Sequence, residues 1–265
     1  MSEQLNQLIS LVRRVAQMEV MPRFLAVSVS KKHDGSLLTE ADIAAQAAFA
    51  ERLPHIIDCP MLGEEMSTER QHDLWEKHSD GLWIVDPIDG TTNFINGLPH
   101  FALSVAYMQN GISQLGVIYN PISQELFYAQ RGCGSYLNGQ PLPLRCAPKP
   151  LSEAIAGVEV KYLRSGKLAT RMYSLSPVNS RRSMGCSTLD WCYLAAGRYD
   201  VYVHGGQRLW DYAAGALIYE EAGGQLATLE GDEFWSGKHV FYRSVIAALQ
   251  PDLFDRWLKW IRANQ

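Results

Sequence analysis

The chain changes texture once, and that change limits the folds open to it. Between residues 100 and 137, apolar runs alternate with turn signals: "FALSVAYM", "GISQLGVIYNP", "QELFYAQRG" and "GSYLNGQP". Connections this short join antiparallel neighbours, so the stretch reads as a meander of three or four strands. After "PLPLRCAPKPL", around 140–151, short apolar runs ("AIAGVEV", "DVYVH", "QLATL", "VIAAL") alternate with helical patterns near 166–175, 187–197, 211–222 and 250–264. Upstream, Leu5, Leu8, Ile9, Leu11, Val12, Val15 and Met18 recur at helical spacing, predicting a helix from 3 to about 21 that ends before Pro22. Thr39 is placed to cap an alanine-rich helix reaching about Leu53. An α+β half over about 1–145 and an α/β half over about 146–265 follow within a single domain spanning 1–265. A cleft between such halves is the expected place for a site.

Composition excludes several classes of function. The 265 residues are 47% hydrophobic with a net charge of -4, which gives no broad basic footprint for nucleic acid or an anionic membrane. No apolar run approaches the ~20 residues needed to span a bilayer, and "MSEQLNQLISLVRRVAQ" lacks the apolar core of a signal peptide. The five cysteines are odd in number and show no CxxC spacing, which fits reduced thiols. A cytoplasmic protein is expected. The tryptophans are scattered, as packing residues are, and do not form a nucleic-acid platform. The closing "LFDRWLKWIRANQ" reads as an amphipathic helix suited to core packing or a subunit contact.

One stretch asks for chemistry. In "WIVDPIDGTTNFING" the apolar run Trp83-Ile84-Val85 stops at Asp86, and Asp89 follows Pro87. Asp-Pro and Asp-Gly are ordinary turn dipeptides, so taken alone this is a strand-ending loop. Three features raise its status. Acids leaving a strand end just before a helix start can converge on one ion. "GEEM" places Glu64 and Glu65 after the strand-like "CPML", and "LWDYAAGALIYEEAGG" places Asp211 before another helix, where alone it would be an N-cap. Hard oxygen ligands from Glu64, Asp86, Asp89 and Asp211, without His or Cys, suit Mg2+ or Mn2+ rather than zinc. Gly90-Thr91-Thr92-Asn93 can then open a helix whose free N–H groups bind an anion beside the metal. Metal and anion together are the requirements of phosphoryl transfer.

These residues resemble the inositol monophosphatase family of lithium-sensitive, magnesium-dependent phosphatases. The resemblance rests on "GEE", "WIVDPIDGTTNFINGLPHFALSVA" and "LWDYAAGALIYEEAGG", and extends from "LLTEAD" to "EEAGG". It implies a five-layered αβαβα sandwich of the sugar-phosphatase type, a homodimer, and a small phosphorylated polyol or sugar as substrate. It makes Glu64, Asp86, Asp89, Asp211 and the Ile88 carbonyl ligands of two or three Mg2+ ions, with Mn2+ as a substitute. Thr91, paired with Asp42, would orient the attacking water. With Glu64, these are the catalytic residues the resemblance implies. The Gly90 and Thr91 amides would hold the phosphate, and attack would be direct and in line, without a phosphoenzyme.

Departures from the family pattern bear on substrate. His204 stands where inositol-cleaving members carry a glutamate that contacts substrate hydroxyls, although it can also simply end a strand. Gly185-Cys186-Ser187 replaces a "G-T/S-A" segment at the substrate side, and Cys186 is either an inert thiol or one activated by a helix start. Arg208 reaches substrate or makes a structural salt bridge. The loop "KKHDGSLLTEAD" carries Ser36 where inositol-type loops have an acid, and Lys31 and Lys32 there are either solvated or face a phosphate. The expected activity is hydrolysis of inositol 1-phosphate. The alternatives are a histidinol-phosphate or a sugar or nucleotide bisphosphate phosphatase, and a metal-binding scaffold with a protein partner. A scaffold would be signalled by a missing ligand, and none is missing.

Overall fold

Leu5, Leu8, Leu11, Val12 and Val15 bury one stripe of helix α1 (Glu3–Val15), with the Ser2 hydroxyl accepting Leu5 N–H at 3.2 Å as its cap. In this computed structural model, which describes residues 1–26, 29–31, 37–159, 163 and 166–265, α1 is shorter than its periodicity predicts. A widened π turn over Ala16–Val20 and a 3-10 turn at Met21–Arg23 take its place, the latter holding Pro22. Strands β1 (Val29–Lys31) and β2 (Leu37–Thr39) pair antiparallel. The loop carrying Lys32, Asp34-Gly35 and Ser36 lies outside the described residues, and of Lys31 only the backbone is described. Helix α2 (Glu40–Arg52) opens on the expected Thr39 cap.

Next come β3 (Met61–Gly63), α3 (Thr68–Lys77), β4 (Leu82–Asp89) and the short α4 (Thr91–Ile95). The meander has one strand more than expected: β5 (Ala102–Gln109), β6 (Ile112–Asn120), β7 (Glu125–Gln130), β8 (Ser135–Leu137) and β9 (Gln140–Pro141). These strands form a seven-stranded sheet in sequence order from β3 to β9, parallel only between β3 and β4. The remainder alternates: β10 (Ile155–Glu159), α5 (Gly166–Ser174), β11 (Ser180–Arg182), α6 (Ser187–Ala195), β12 (Val201–Gln207), α7 (Leu209–Glu221), β13 (Gln225–Ala227), β14 (Arg243–Ala248) and α8 (Pro251–Asn264). The second sheet has the order β11-β10-β12-β14-β13, with β10 parallel to both neighbours and β14 antiparallel to both of its own.

Strand parity builds the layers, because successive side chains point to opposite faces. Trp83 and Val85 of β4 pack with Leu8, Val12 and Phe49 of α1 and α2, while Leu82 and Ile84 pack with Leu189, Leu194 and Leu217 of α6 and α7. Tyr202, Val245 and Ala247 of the second sheet join that same central cluster. Their alternates Val203, Ile246 and Ala248 pack against Leu168, Leu253 and Trp257 of α5 and α8. The order is therefore helices, seven-stranded sheet, helices, five-stranded sheet, helices, which is the expected αβαβα sandwich. Helix α7 is buried from Leu209 through Tyr219 except at Asp211, as a central-layer helix must be. Gly215 permits its approach to α6, since a Cβ there would stand 2.5 Å from the Trp191 Cβ. Helix α3 went unpredicted because "TERQHDLWEK" buries only Gln71 and Leu74, leaving too little apolar period to read.

Candidate active site

The acids meet because β4 is not a regular strand. Parity sends Asp86 to the central-layer face, with Leu82 and Ile84. A regular strand would point Asp89 the other way. Between them the register slips: Asp86 lies opposite Ser104 and Asp89 opposite Ala102, three steps on β4 against two on β5. That bulge resets the parity and brings Asp89 back beside Asp86, while Ile88 packs into the outer cluster with Phe94. Pro87 sits in the bulge, where its missing N–H removes no ladder bond. Asp211 arrives from the first turn of α7, where its Oδ2 accepts Arg208 N–H at 2.9 Å. Carboxylate oxygens of Asp86, Asp89 and Asp211 lie within 4.8 Å of one another.

Glu64 lies outside that trio but lines the same cavity. Its N–H donates to Val85 O at 3.1 Å, extending the β3–β4 ladder to the level of the acids. The buried Gln71 of α3 donates to Gly63 O at 3.0 Å and to Glu64 O at 3.1 Å, fixing the segment from the other side.

Three or four carboxylates this close oppose their own ionisation. Asp86 is 1% exposed, and burial pushes its pKa well up, with the charges of Glu64, Asp89 and Asp211 adding to the rise. Asp211 is raised by burial and then by Asp89 and Glu64, against the lowering effect of Arg208. Asp86 Oδ1 has no hydrogen-bond partner despite its burial. A hard divalent cation satisfies the orphaned oxygen and the mutual repulsion together, so this donor set fits Mg2+ or Mn2+.

Helix starts surround the acids. Asp89 Oδ2 accepts the Thr188 N–H at 2.7 Å and Ser187 Oγ–H at 3.4 Å, so Asp89 is itself a cap for α6. Gly90 opens α4 at φ 87°, where a Cβ would stand 3.0 Å from His100 O, so only glycine fits this turn. Gly185 is tied to the same region through Asn93, whose Nδ2 donates to Met184 O at 2.8 Å and to His100 O at 2.7 Å.

Thr91 and Asp42 each have partners of their own. Thr91 Oγ1 donates to Ile88 O at 3.0 Å, and Asp42 Oδ2 accepts Thr39 N–H at 2.8 Å as the closing half of the α2 capping box. Asp42 is fully buried and does not line the cavity. Cys186 is no activated thiol: burial pushes its pKa well up, the Asp89 charge adds to this, and Sγ donates to Asp89 Oδ2 at 3.3 Å. Arg208 Nη1 donates to the Phe241 carbonyl at 3.4 Å while its backbone N–H donates to Asp211 Oδ2.

The cavity measures about 910 Å³ and extends well beyond the acids. His204 lines it, 3% exposed, with Nδ1 accepting Gly206 N–H at 3.1 Å. Glu159 and Asp190 also line it, and neither was singled out from the sequence. A signal existed for both: each is a lone acid in an apolar element, "AIAGVEV" and "STLDWCYLA". His72 of α3 and Phe241 before β14 also line it, with ring centroids 4.4 Å apart.

Comparison with known proteins agrees with this geometry. The inositol monophosphatase family model matches residues 2–264. An inositol-1-monophosphatase of Caulobacter vibrioides is 35% identical over 247 residues, covering 89% of this chain and 91% of that one. The Nus factor SuhB of Pasteurella multocida is also 35% identical, over 239 residues covering 86% and 88%. The crystal structure of the extragenic suppressor protein suhB of Bartonella henselae superposes with a TM-score of 0.86 at 28% identity, covering 100% of both chains. The match across nearly the whole chain places this protein in the inositol monophosphatase family as a phosphatase.

Proposed function

We propose that the protein is a Mg2+-dependent phosphomonoesterase for a small polyol or sugar phosphate, with inositol 1-phosphate as the first candidate. The observation that carries the reading is the converging trio of Asp86, Asp89 and Asp211, of which Asp86 is buried, with Glu64 lining the same cavity and Asp86 Oδ1 left without a partner. Glu64, Asp86, Asp89, Asp211 and the Ile88 carbonyl would hold the metal, with Mn2+ able to replace Mg2+. When bound, the divalent cation supplies Lewis acidity toward the phosphate and lowers the pKa of water. The chain's own residues provide position. The start of α4 leaves Gly90 and Thr91 amides without intrahelical acceptors, which suits them to phosphate oxygens. Thr91 Oγ1, pinned to Ile88 O, is placed to accept from and orient a water beside the acids. The cavity of about 910 Å³ leaves room for the leaving group beside the acids.

The test is phosphate release with and without Mg2+ across inositol 1-phosphate, histidinol phosphate, fructose 1,6-bisphosphate and adenosine 3′,5′-bisphosphate, with Asp86→Asn in parallel. Metal-dependent release lost in the variant supports the reading, and the best substrate names the class. Release that ignores Mg2+ and survives Asp86→Asn would sink it. A second role has one observation behind it, the Nus factor name of the Pasteurella relative. A phenotype of gene deletion rescued by the inactive Asp86→Asn protein would establish such a role beside catalysis.

A further inference from the structure

We propose that Gln71 and Gln46 are positioning residues that hold the Glu64 segment against the repulsion of the acids and so set the cation affinity of the site. The proposal rests on the phosphatase reading and adds to it two residues that act through Glu64.

Helix α3 has an unusual inner face. It buries only two side chains, Leu74 and the polar Gln71, which is 6% exposed. A buried amide is tolerated only when its hydrogens find acceptors. Gln71 Nε2 directs both to one short stretch, donating to Gly63 O at 3.0 Å and to Glu64 O at 3.1 Å. An apolar side chain would fill the same place without a polar group to satisfy, so the glutamine points to the stretch it grips. From α2, Gln46 Oε1 accepts Glu65 N–H at 3.0 Å, and a Cβ on Gly63 would stand 2.2 Å from that oxygen. Glu64 N–H is bound to Val85 O at 3.1 Å. Residues 63–65 are thus tied to α2, α3 and β4 at once.

A second observation says why the tie is needed. After burial, Glu64 supplies the first charge that pushes the Asp86 pKa up, ahead of Asp89 and Asp211. The four acids come from separate elements, so without a cation their repulsion favours retreat of whichever element yields most easily. β4 is paired on both sides, and α7 is buried along most of its length. Glu64 instead leaves a three-residue strand at the edge of its sheet. The glutamines oppose its retreat. Being neutral, they neither add to the repulsion nor supply a counter-charge that competes with a cation. A ligand held in place before the ion arrives loses less freedom on binding it. Helix α3 is anchored in turn by the second half of the chain, through His72 and Trp75 against Phe241 at ring separations of 4.4 and 6.3 Å.

The experiment titrates Mn2+ into the full chain and reads the free ion by electron paramagnetic resonance, which needs no turnover. Gln71→Met and Gln46→Met match the length of the glutamine and remove its hydrogen bonds. Each is expected to weaken Mn2+ binding about tenfold, as loss of a partner that orients a ligand does. A merely structural role lowers the melting temperature and leaves the dissociation constant of the folded protein unchanged. A constant within about twofold of the parent in the folded variants therefore overturns the proposal, with the phosphatase reading left standing. A parent that binds no Mn2+ overturns both. Hydrogen exchange of the parent decides the matter without any variant, should neither fold: the amides of Glu64 and Glu65 should be protected already in EDTA. Protection that appears only with Mn2+ shows that the ion, not the glutamines, orders the segment, and overturns the proposal.

Discussion

Asp89 carries two loads at once. Its Oδ2 caps α6 through Thr188 N–H at 2.7 Å, and its charge presses on Asp86 and Asp211. Asp89→Asn keeps an acceptor oxygen for the cap but removes the repulsion and the charge proposed to ligate the metal. We expect the melting temperature of the metal-free variant to equal or exceed that of the parent, while kcat falls by more than 100-fold, about 2.7 kcal/mol. Activity within tenfold of the parent would contradict the assigned role. A drop of several degrees would show that capping outweighs repulsion. Cys186 gives a second test at this scale. Burial raises its pKa well above the ordinary thiol value, whereas Cys133 and Cys146 are exposed. Iodoacetamide at pH 8 should label Cys133 and Cys146 first by mass spectrometry, and early labelling of Cys186 would contradict the buried, hydrogen-bonded thiol.

Between β13 and β14 one ion pair organises a whole connection. Arg243 is fully buried and Asp232 accepts its Nη1 at 2.8 Å, with Thr228 and Ser236 bonded to the same carboxylate. Burial alone would raise the Asp232 pKa, but the bonds from Thr228, Arg243 and Ser236 outweigh it and hold the value at about 2. A depressed carboxylate pKa adds stability above the unfolded value near 3.9, and that stability is lost as pH falls toward 2. Asp232→Asn leaves the guanidinium buried without its counter-charge, at a cost of about 3 kcal/mol, the low end for a broken buried pair because Asp232 is partly exposed. The melting temperature should fall by roughly 5–10 °C at pH 7. The gap to the parent should close between pH 4 and 2, and a gap constant across that window would contradict the linkage. Elements like this connection are not legible in a sequence, because Thr228, Asp232, Ser236 and Arg243 show no period. The same limit hid α3, which is polar on most faces, and the bulge in β4. Asp86, Pro87 and Asp89 could be read as acids around a turn, but only pairing with β5 shows that the turn restores their common face. Where one face is apolar and one residue caps, as at Thr39 and along α8, reading and structure coincide.

Across the whole molecule, the site sits where two layers meet. Glu64, Asp86 and Asp89 come from β3, β4 and their exits in the seven-stranded sheet, while Asp211 comes from α7 in the central helical layer. Five layers and four acids were legible because the acids sit in long, specific motifs. Glu159 and Asp190 were not, since their place beside the site depends on β10 and α6 folding around it from the second half of the chain. A cation bound between the layers, as proposed, would do more than activate a reaction: it would replace repulsion across the junction of sheet and helix with attraction on both sides. Mg2+ at about 100 times its dissociation constant should add about 2.7 kcal/mol by linkage. For a chain of this size that is a rise of roughly 5–10 °C over the EDTA-treated protein. Asp86→Asn should abolish most of the rise and start from a melting temperature no lower than that of the metal-free parent, because it removes the most buried charge of the set. Calorimetry in EDTA and in Mg2+ separates the terms. If Mg2+ stabilises parent and variant equally, the ion binds elsewhere and the acids at the β4 exit do not form its site. If it stabilises only the parent, the junction between sheet and α7 is held together by the same cation that serves the chemistry.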